Sequence, residues 1–138
     1  MSFAASVALQ GAVYQHLRAD AALNELVGDA IFDAMPVDAP AGVFVSLGPE
    51  DVRDAGDMTA AASQHDFIIS VLSGADQGAG FAAVKAAAVA VAEALDQAQL
   101  ALSRGQLTGL WFQRARARRI ENGAARRVDL TFRARIDL

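Results

Sequence analysis

Asn122-Gly123, set between two long runs of alternating residues, constrains this 138-residue chain more than any other feature. Both central residues of a two-residue hairpin turn need φ > 0, and Asn-Gly supplies that at least cost. The turn also sets a register, because opposed residues must then sum to 245. Ala117 faces Val128, Ala115 faces Leu130, Gln113 faces Phe132, Trp111 faces Ala134 and Gly109 faces Ile136. In most of these pairs a small residue meets a large one on a single face, as a packed face requires. A slip of one residue destroys the match. A C-terminal β-hairpin over 106–138 is therefore predicted.

The other face follows from the same register. Arg118 meets Arg127, Arg116 meets Asp129, Arg114 meets Thr131, Phe112 meets Arg133 and Leu110 meets Arg135. Six arginines (Arg114, Arg116, Arg118, Arg127, Arg133 and Arg135) share that face with one acid. Arg119 and Arg126 fall on the opposite parity, near the turn. Like charges directly opposed are unfavourable unless something anionic neutralises them. The face is either a solvated surface that discourages edge-to-edge aggregation or a docking surface for acidic protein or nucleic acid.

Charge is distributed unevenly along the whole chain. Residues 1–103 hold three bases against thirteen acids, and residues 104–138 hold nine arginines against three acids. Such separation bears on partners and orientation rather than on fold. Eleven of the twelve basic residues are arginine. That bias, with so much alanine, fits a GC-rich genome.

Upstream, Ser2 is positioned to cap a first helix to about Arg18, with Phe3, Val7, Tyr14 and Leu17 near one face and Gly11 allowing close approach. Asp20 caps a short second helix that Gly28 ends. Ile31-Phe32 and Val43 to Leu47 are predicted strands, the second closed by Gly48-Pro49. Residues 50–64 hold Glu50, Asp51, Asp54 and Asp57 without an apolar period and are predicted to be an exposed acidic loop. His65 to Ser73 is apolar on both faces, so it is predicted to be a central strand. After a turn at Gly74–Gly80, Phe81, Val84, Ala88, Val91 and Leu95 form a helical stripe over about Gly78–Gln97. The predicted fold is one α+β domain over 1–138. Its sheet has about five strands, mostly antiparallel, with an N-terminal helix and one long helix packed on it.

Catalytic chemistry finds little support. The chain has no cysteine, which excludes disulfides, thiolate catalysis and cysteine-ligated zinc. His16 and His65 have no metal-ligand spacing and are expected on a helix face and at a strand start. Asp51, Asp54 and Asp57 lack the alternation, central glycine and terminal glutamate of an EF-hand. Gly74–Gly80 precedes a helix and offers an anion a place at its N-terminus, but it lacks the Lys-Ser/Thr of a P-loop. No serine–histidine–acid set suggests itself. No enzyme, metal or cofactor is expected. Met1 to Ala12 has no positive n-region, so no secretory signal is expected. The best apolar stretch, Phe81 to Leu95, is too short to span a membrane and carries Lys85 and Glu93.

The order of elements carries a resemblance. Leu26-Val27-Gly28 stands before Ile31-Phe32-Asp33. Pro40 leads into Val43-Phe44-Val45 and Gly48, and Ala94-Leu95 is followed by Leu100. Over nearly its whole length the chain resembles the tail-completion, or tail-terminator, proteins of long-tailed phages and of phage-derived gene transfer agents. It departs by placing Ala41-Gly42 where an aromatic often follows the proline. The resemblance implies a structural subunit, assembled in the bacterial cytoplasm, in the neck of a phage-like particle. Such subunits form a ring, typically a hexamer, on the head-proximal end of the tail tube. The ring stops tube growth and meets the head–tail connector (stopper or adaptor), and DNA passes through its lumen.

Within that reading, the acidic loop around Asp51, Asp54 and Asp57 of one subunit is expected to meet the arginine face of the next subunit or of a stacked ring. The rival is that arginines, Arg118, Arg119, Arg126 and Arg127 foremost, line the lumen and contact DNA phosphates. Two further alternatives are a free-standing nucleic-acid-binding module and a catalytic subunit holding an anion at Gly74–Gly80.

Overall fold

The computed structural model of the chain describes residues 3–38, 40–74, 81–120 and 125–138. The order of elements is α1 (Ser6–Ala19), α2 (Ala21–Val27), β1 (Ile31–Phe32), β2 (Val43–Asp54), β3 (Ala62–Ser73), α3 (Phe81–Leu95), β4 (Gln106–Ile120) and β5 (Ala125–Asp137). The five strands form one sheet in the order β1-β2-β3-β5-β4. Only the β1–β2 pair is parallel, so the α+β expectation with a mostly antiparallel sheet holds. Ser2, the 75–80 part of the expected turn and Asn122-Gly123 lie outside the described residues.

All three helices pack on one face. The core joins Leu9, Val13 and Leu17 of α1, Leu23 of α2 and Val84, Val91 and Leu95 of α3 to the inward rows of the sheet. Ala87, Ala88 and Ala90 of α3 are buried with them. The buried stripe of α1 is only partly the expected one: Leu17 is buried and Tyr14 packs against the core, but Phe3 and Val7 do not join them. Leu9, Val13 and Leu17 follow the 4-residue spacing inward, whereas Phe3 is 59% and Val7 81% exposed. Gly11 faces open space, so it serves no close approach. The α1 N-cap is Ala5, with no side-chain cap bond. Asp20 does cap α2, accepting from Leu23 N–H at 3.0 Å, and Gly28 ends it. Gly42 has φ +80° just before β2. An L side chain is strained there, which accounts for glycine in the stretch where an aromatic was expected.

Two expectations fail at β-bulges. Strand β2 does not stop at Gly48-Pro49. It continues to Asp54, with a register shift between Leu47 and Glu50, and pairs with β3 as far as Asp54–Ser63. A bulge absorbs the proline, which has no N–H to give to a ladder. Most of the expected acidic loop is thus strand, and only residues 55–61 lie between β2 and β3. The second failure is in the hairpin. The 245 register holds from Ile120–Ala125 to Arg114–Thr131, then shifts between Phe112 and Arg114 and again between Leu107 and Gly109. Phe112, not Gln113, faces Phe132, and Leu110, not Trp111, faces Ala134. Leu107 faces Ile136, Trp111 faces Arg133 and Gly109 faces Arg135. The bulges turn Leu110 into the core, where it is buried, and bring Trp111 to the face without helices.

Trp111 lies across Gly109 on that open face. A Cβ on residue 109 would stand 2.6 Å from the indole, so glycine makes room for the ring. The indole is 41% exposed and free to swing away. Gly109→Ala is therefore expected to lift the only tryptophan off the sheet, shifting its emission to the red while costing about 1 kcal/mol or less. Fluorescence spectra and urea melts check both parts. An unshifted spectrum contradicts the packing.

Candidate subunit interface

The open face of the sheet carries the arginines. The β3–β5 and β4–β5 registers put Arg114, Arg116 and Arg118 of β4 and Arg127, Arg133 and Arg135 of β5 on it. Asp66, Ser70 and Leu72 of β3 continue the rows. Sequence parity places all six arginines there correctly, since the bulges lie on the far side of Arg114.

Four of the six arginines on this face are paired from within. Arg127 Nε donates to Asp129 Oδ1 at 2.8 Å and Arg118 donates to Asp129 Oδ2 at 3.3 Å. Asp129 is thus the anion that lets Arg118 and Arg127 stand opposite each other. Ser70 Oγ donates to the same carboxylate at 2.6 Å. Burial pushes the Asp129 carboxyl up, but these hydrogen bonds and the two guanidinium charges outweigh it, and the net direction is down. Arg133 pairs with Asp66 through two bonds of 2.8 and 3.2 Å, which raise the arginine further. Arg135 reaches Asp137 at 3.8 Å and the Ala55 carbonyl at 3.3 Å. Among the described residues, Arg114 and Arg116 make no ion pair or hydrogen bond, and both are exposed.

The remaining candidates do not converge. Arg119 and Arg126 pair across the hairpin on the helix side, and Arg126 lies 5.5 Å over the Phe81 ring. Arg118, Arg119, Arg126 and Arg127 therefore occupy two faces rather than one DNA-facing patch. The acids also separate. Asp51 is on the open face opposite Asp66, and Asp54 points to the helix side at the end of β2. Asp57 lies in the turn, where it accepts from Thr59 N–H at 2.8 Å, Thr59 Oγ1 at 2.9 Å and Ala60 N–H at 2.9 Å. The Thr59 and Ala60 bonds hold its carboxyl below the usual range. Among the described residues no group of three His, Asp or Glu is placed to hold a metal ion.

One arrangement escapes the sequence reading. Ser63 Oγ is 2.8 Å from His65 Nε2, His65 Nδ1 donates to Glu50 Oε2 at 3.1 Å, and Ser6 Oγ donates to Glu50 Oε1. The order serine–histidine–carboxylate is that of a hydrolase triad. Ser63 and His65 are both 0% exposed on the helix-packed face, so no substrate reaches the hydroxyl. The set instead fastens α1 to β2 and β3. Ser63 and His65 sit two apart in an apolar strand, and that spacing was the signal available. His16 makes a similar fastening, its Nε2 lying 2.8 Å from the Ala94 carbonyl. The groove between 97–100 and the start of β4, about 620 Å³, is lined by no titratable side chain.

The network gives a pH prediction. Burial pushes the Glu50 carboxyl up, but the His65 and Ser6 bonds and the His65 charge bring it below its ordinary 4.5. A carboxyl depressed in the folded state stabilises fully above its unfolded value and loses that stabilisation as pH falls through its folded value. The melting temperature is therefore expected to fall from about pH 5 to about pH 3 more steeply than in Glu50→Gln, the two curves converging in acid. Parallel curves contradict it.

The sheet thus has one face covered by a single helical layer, fastened by buried polar clips, and one open face. The model of the family described as Tail completion protein gp17 matches residues 11–137. The chain belongs to that family and is a structural component of a phage-like tail. A chain from the structure "Virion of native gene transfer agent (GTA) particle" is 58% identical, with a TM-score of 0.90 over 99% of this chain and 100% of that one. Among curated proteins none matches. Among the described residues no helix is long and apolar enough to cross a membrane.

Proposed function

We propose that this chain is the subunit of a tail terminator. Copies, six in number, form a ring on the head-proximal end of the tail tube, stop its polymerisation and offer their far surface to the head–tail connector. DNA passes through the lumen, and the subunits assemble in the bacterial cytoplasm before entering the particle. The observation that carries this is the match along 99% of the chain to a protein of a gene transfer agent virion. No reactive group is needed, in keeping with a triad-like set sealed in the core.

The geometry narrows the expected interface. Arg127 and Arg133 are held by Asp129 and Asp66 of the same sheet. Arg114 and Arg116 on the edge strand, whose side chains make no ion pair among the described residues, are the arginines most available to a neighbour, whereas Arg118 and Arg135 are exposed but paired with Asp129 and Asp137. Asp51, Asp54 and Asp57 at the far edge are the acids that answer them. The nucleic-acid reading has weaker support, because its four arginines divide between two faces. Tail tubes polymerised without this protein are expected to grow past their regular length, and adding it is expected to arrest them. Tubes of unchanged length in both conditions overturn the proposal.

A further inference from the structure

We propose that copies join by continuing one subunit's sheet into the next, the outer edge of β4 pairing antiparallel with the outer edge of β2 of a second copy. This rests on the ring reading above and specifies its subunit contact. The sheet has two edges, and each is covered over only part of its length. On β4, Gln97 N–H donates to the Leu110 carbonyl at 2.8 Å and Asp96 accepts from Phe112 N–H at 2.9 Å. The segment after α3 thus closes that edge as far as Phe112. From Gln113 to Arg119 every residue is exposed, on both faces. On β2, β1 pairs only with Val45 and Ser46, and Gly48, Pro49, Asp51, Arg53 and Asp54 are exposed.

An open β edge is a template for another strand. The two free stretches differ in sign. That of β4 carries Arg114, Arg116 and Arg118 with no acid, and that of β2 carries Glu50, Asp51 and Asp54 against Arg53. Two β4 edges would set arginine against arginine with no acid on either side, so the β4 edge favours an unlike partner. Such head-to-tail contacts generate rings when the rotation closes. The strand directions agree. Strands β2, β3, β5 and β4 are antiparallel in succession, so β4 meets the β2 of a copy carried onward by rotation in antiparallel sense.

The faces agree too. Arg116, Arg118 and Asp51 lie on the open face, and Ala115, Ala117 and Val52 on the helix side. Placing Arg116 or Arg118 opposite Asp51 sets Ala115 or Ala117 opposite the half-buried Val52, a small residue over a large one, and also sets Arg114 or Arg116 opposite Arg53, a like-charge contact that offsets part of the gain. The free stretches lie at opposite ends of the sheet. Successive copies are therefore staggered along the strands, as tilted strands are in closed barrels.

The chain has no cysteine, so engineered pairs report the contact directly. Val52→Cys is combined with Ala115→Cys or with Ala117→Cys. Within one chain β3 and β5 separate the two positions by at least roughly 14 Å at about 4.8 Å per strand, before their displacement along the strands, beyond the reach of about 7 Å for a disulfide. Oxidising the double variant whose register the ring adopts, one of the two, is expected on tail tubes to give a ladder of covalent oligomers up to ring size, with none from a single-cysteine variant. Ring formation is also expected to protect the amides of 113–119 and 50–54 of the unmodified protein from hydrogen exchange. Rings of normal mass with no ladder from either pair and no protection overturn the edge pairing and leave the ring standing. Rings whose 113–119 amides gain protection only when tubes are added assign the edge to the tube protein and overturn it as well. Protein that stays monomeric with tubes overturns both readings.

Discussion

Replacing Arg116 and Arg118 together by glutamate is expected to leave the fold intact and abolish assembly. The fold is spared because Arg116 is exposed without a partner among the described residues. Arg118 is 42% exposed in its pair with Asp129, and an exposed pair contributes no more than about 1 kcal/mol. Assembly suffers because each reversal turns an attraction into a repulsion. For partly buried charges at 4 Å that is of order 4 kcal/mol either way, and the change recurs at every contact around a ring. Even about 3 kcal/mol per contact weakens association by more than a hundredfold. Melting curves and mass measurements on the same samples separate the two effects. A variant that melts like the parent yet assembles normally contradicts the assignment. One that melts far lower shows that the arginines hold the sheet instead.

Phe132→Ala is expected to cost about 3–5 kcal/mol, a large share of the roughly 5–15 kcal/mol that stabilises a domain. Phe132 is 0% exposed. Its ring stacks on Phe67 at 5.7 Å and meets Phe112 edge-on at 5.9 Å. Removing it leaves a cavity between three strands and strips both aromatic neighbours of contact. Phe132→Leu, which keeps most of the volume, is expected to cost less than half as much. Urea midpoints of the two variants test this. A Phe132→Ala loss below about 1.5 kcal/mol would mean that Phe132 is not packed between Phe67 and the half-exposed Phe112.

That bulge shows where the sequence was and was not legible. The register expected from Asn122-Gly123 is the one the described strands keep from Ile120–Ala125 to Arg114–Thr131, and the six arginines follow by parity. Counting by twos through fifteen residues then fails, because one inserted residue reverses every side chain beyond it. The signal was present: Leu110 and Phe112 are even, Ala115 and Ala117 odd, and the apolar parity changes between them. Strand β2 repeats the pattern, with Val43, Val45 and Leu47 before Gly48-Pro49 and Val52 after. Its acids read as a loop because the last residues of β2 have little cover and tolerate charge. The Ser6–Glu50–His65–Ser63 clip was harder to foresee, since it joins residues from three elements whose packing no local pattern reveals. The internal pairing of Arg127 and Arg133 was hidden for the same reason, as Asp66 lies on β3 and Asp129 serves two arginines at once.

The ring reading meets its most direct test in particles bearing a labelled copy of this protein, imaged on purified tail tubes with the subunits counted. The predicted result is a single closed ring of six copies at one end of each tube, the head-proximal one, with none along the shaft. Label distributed along the tube, or single unassociated copies at its end, would contradict it.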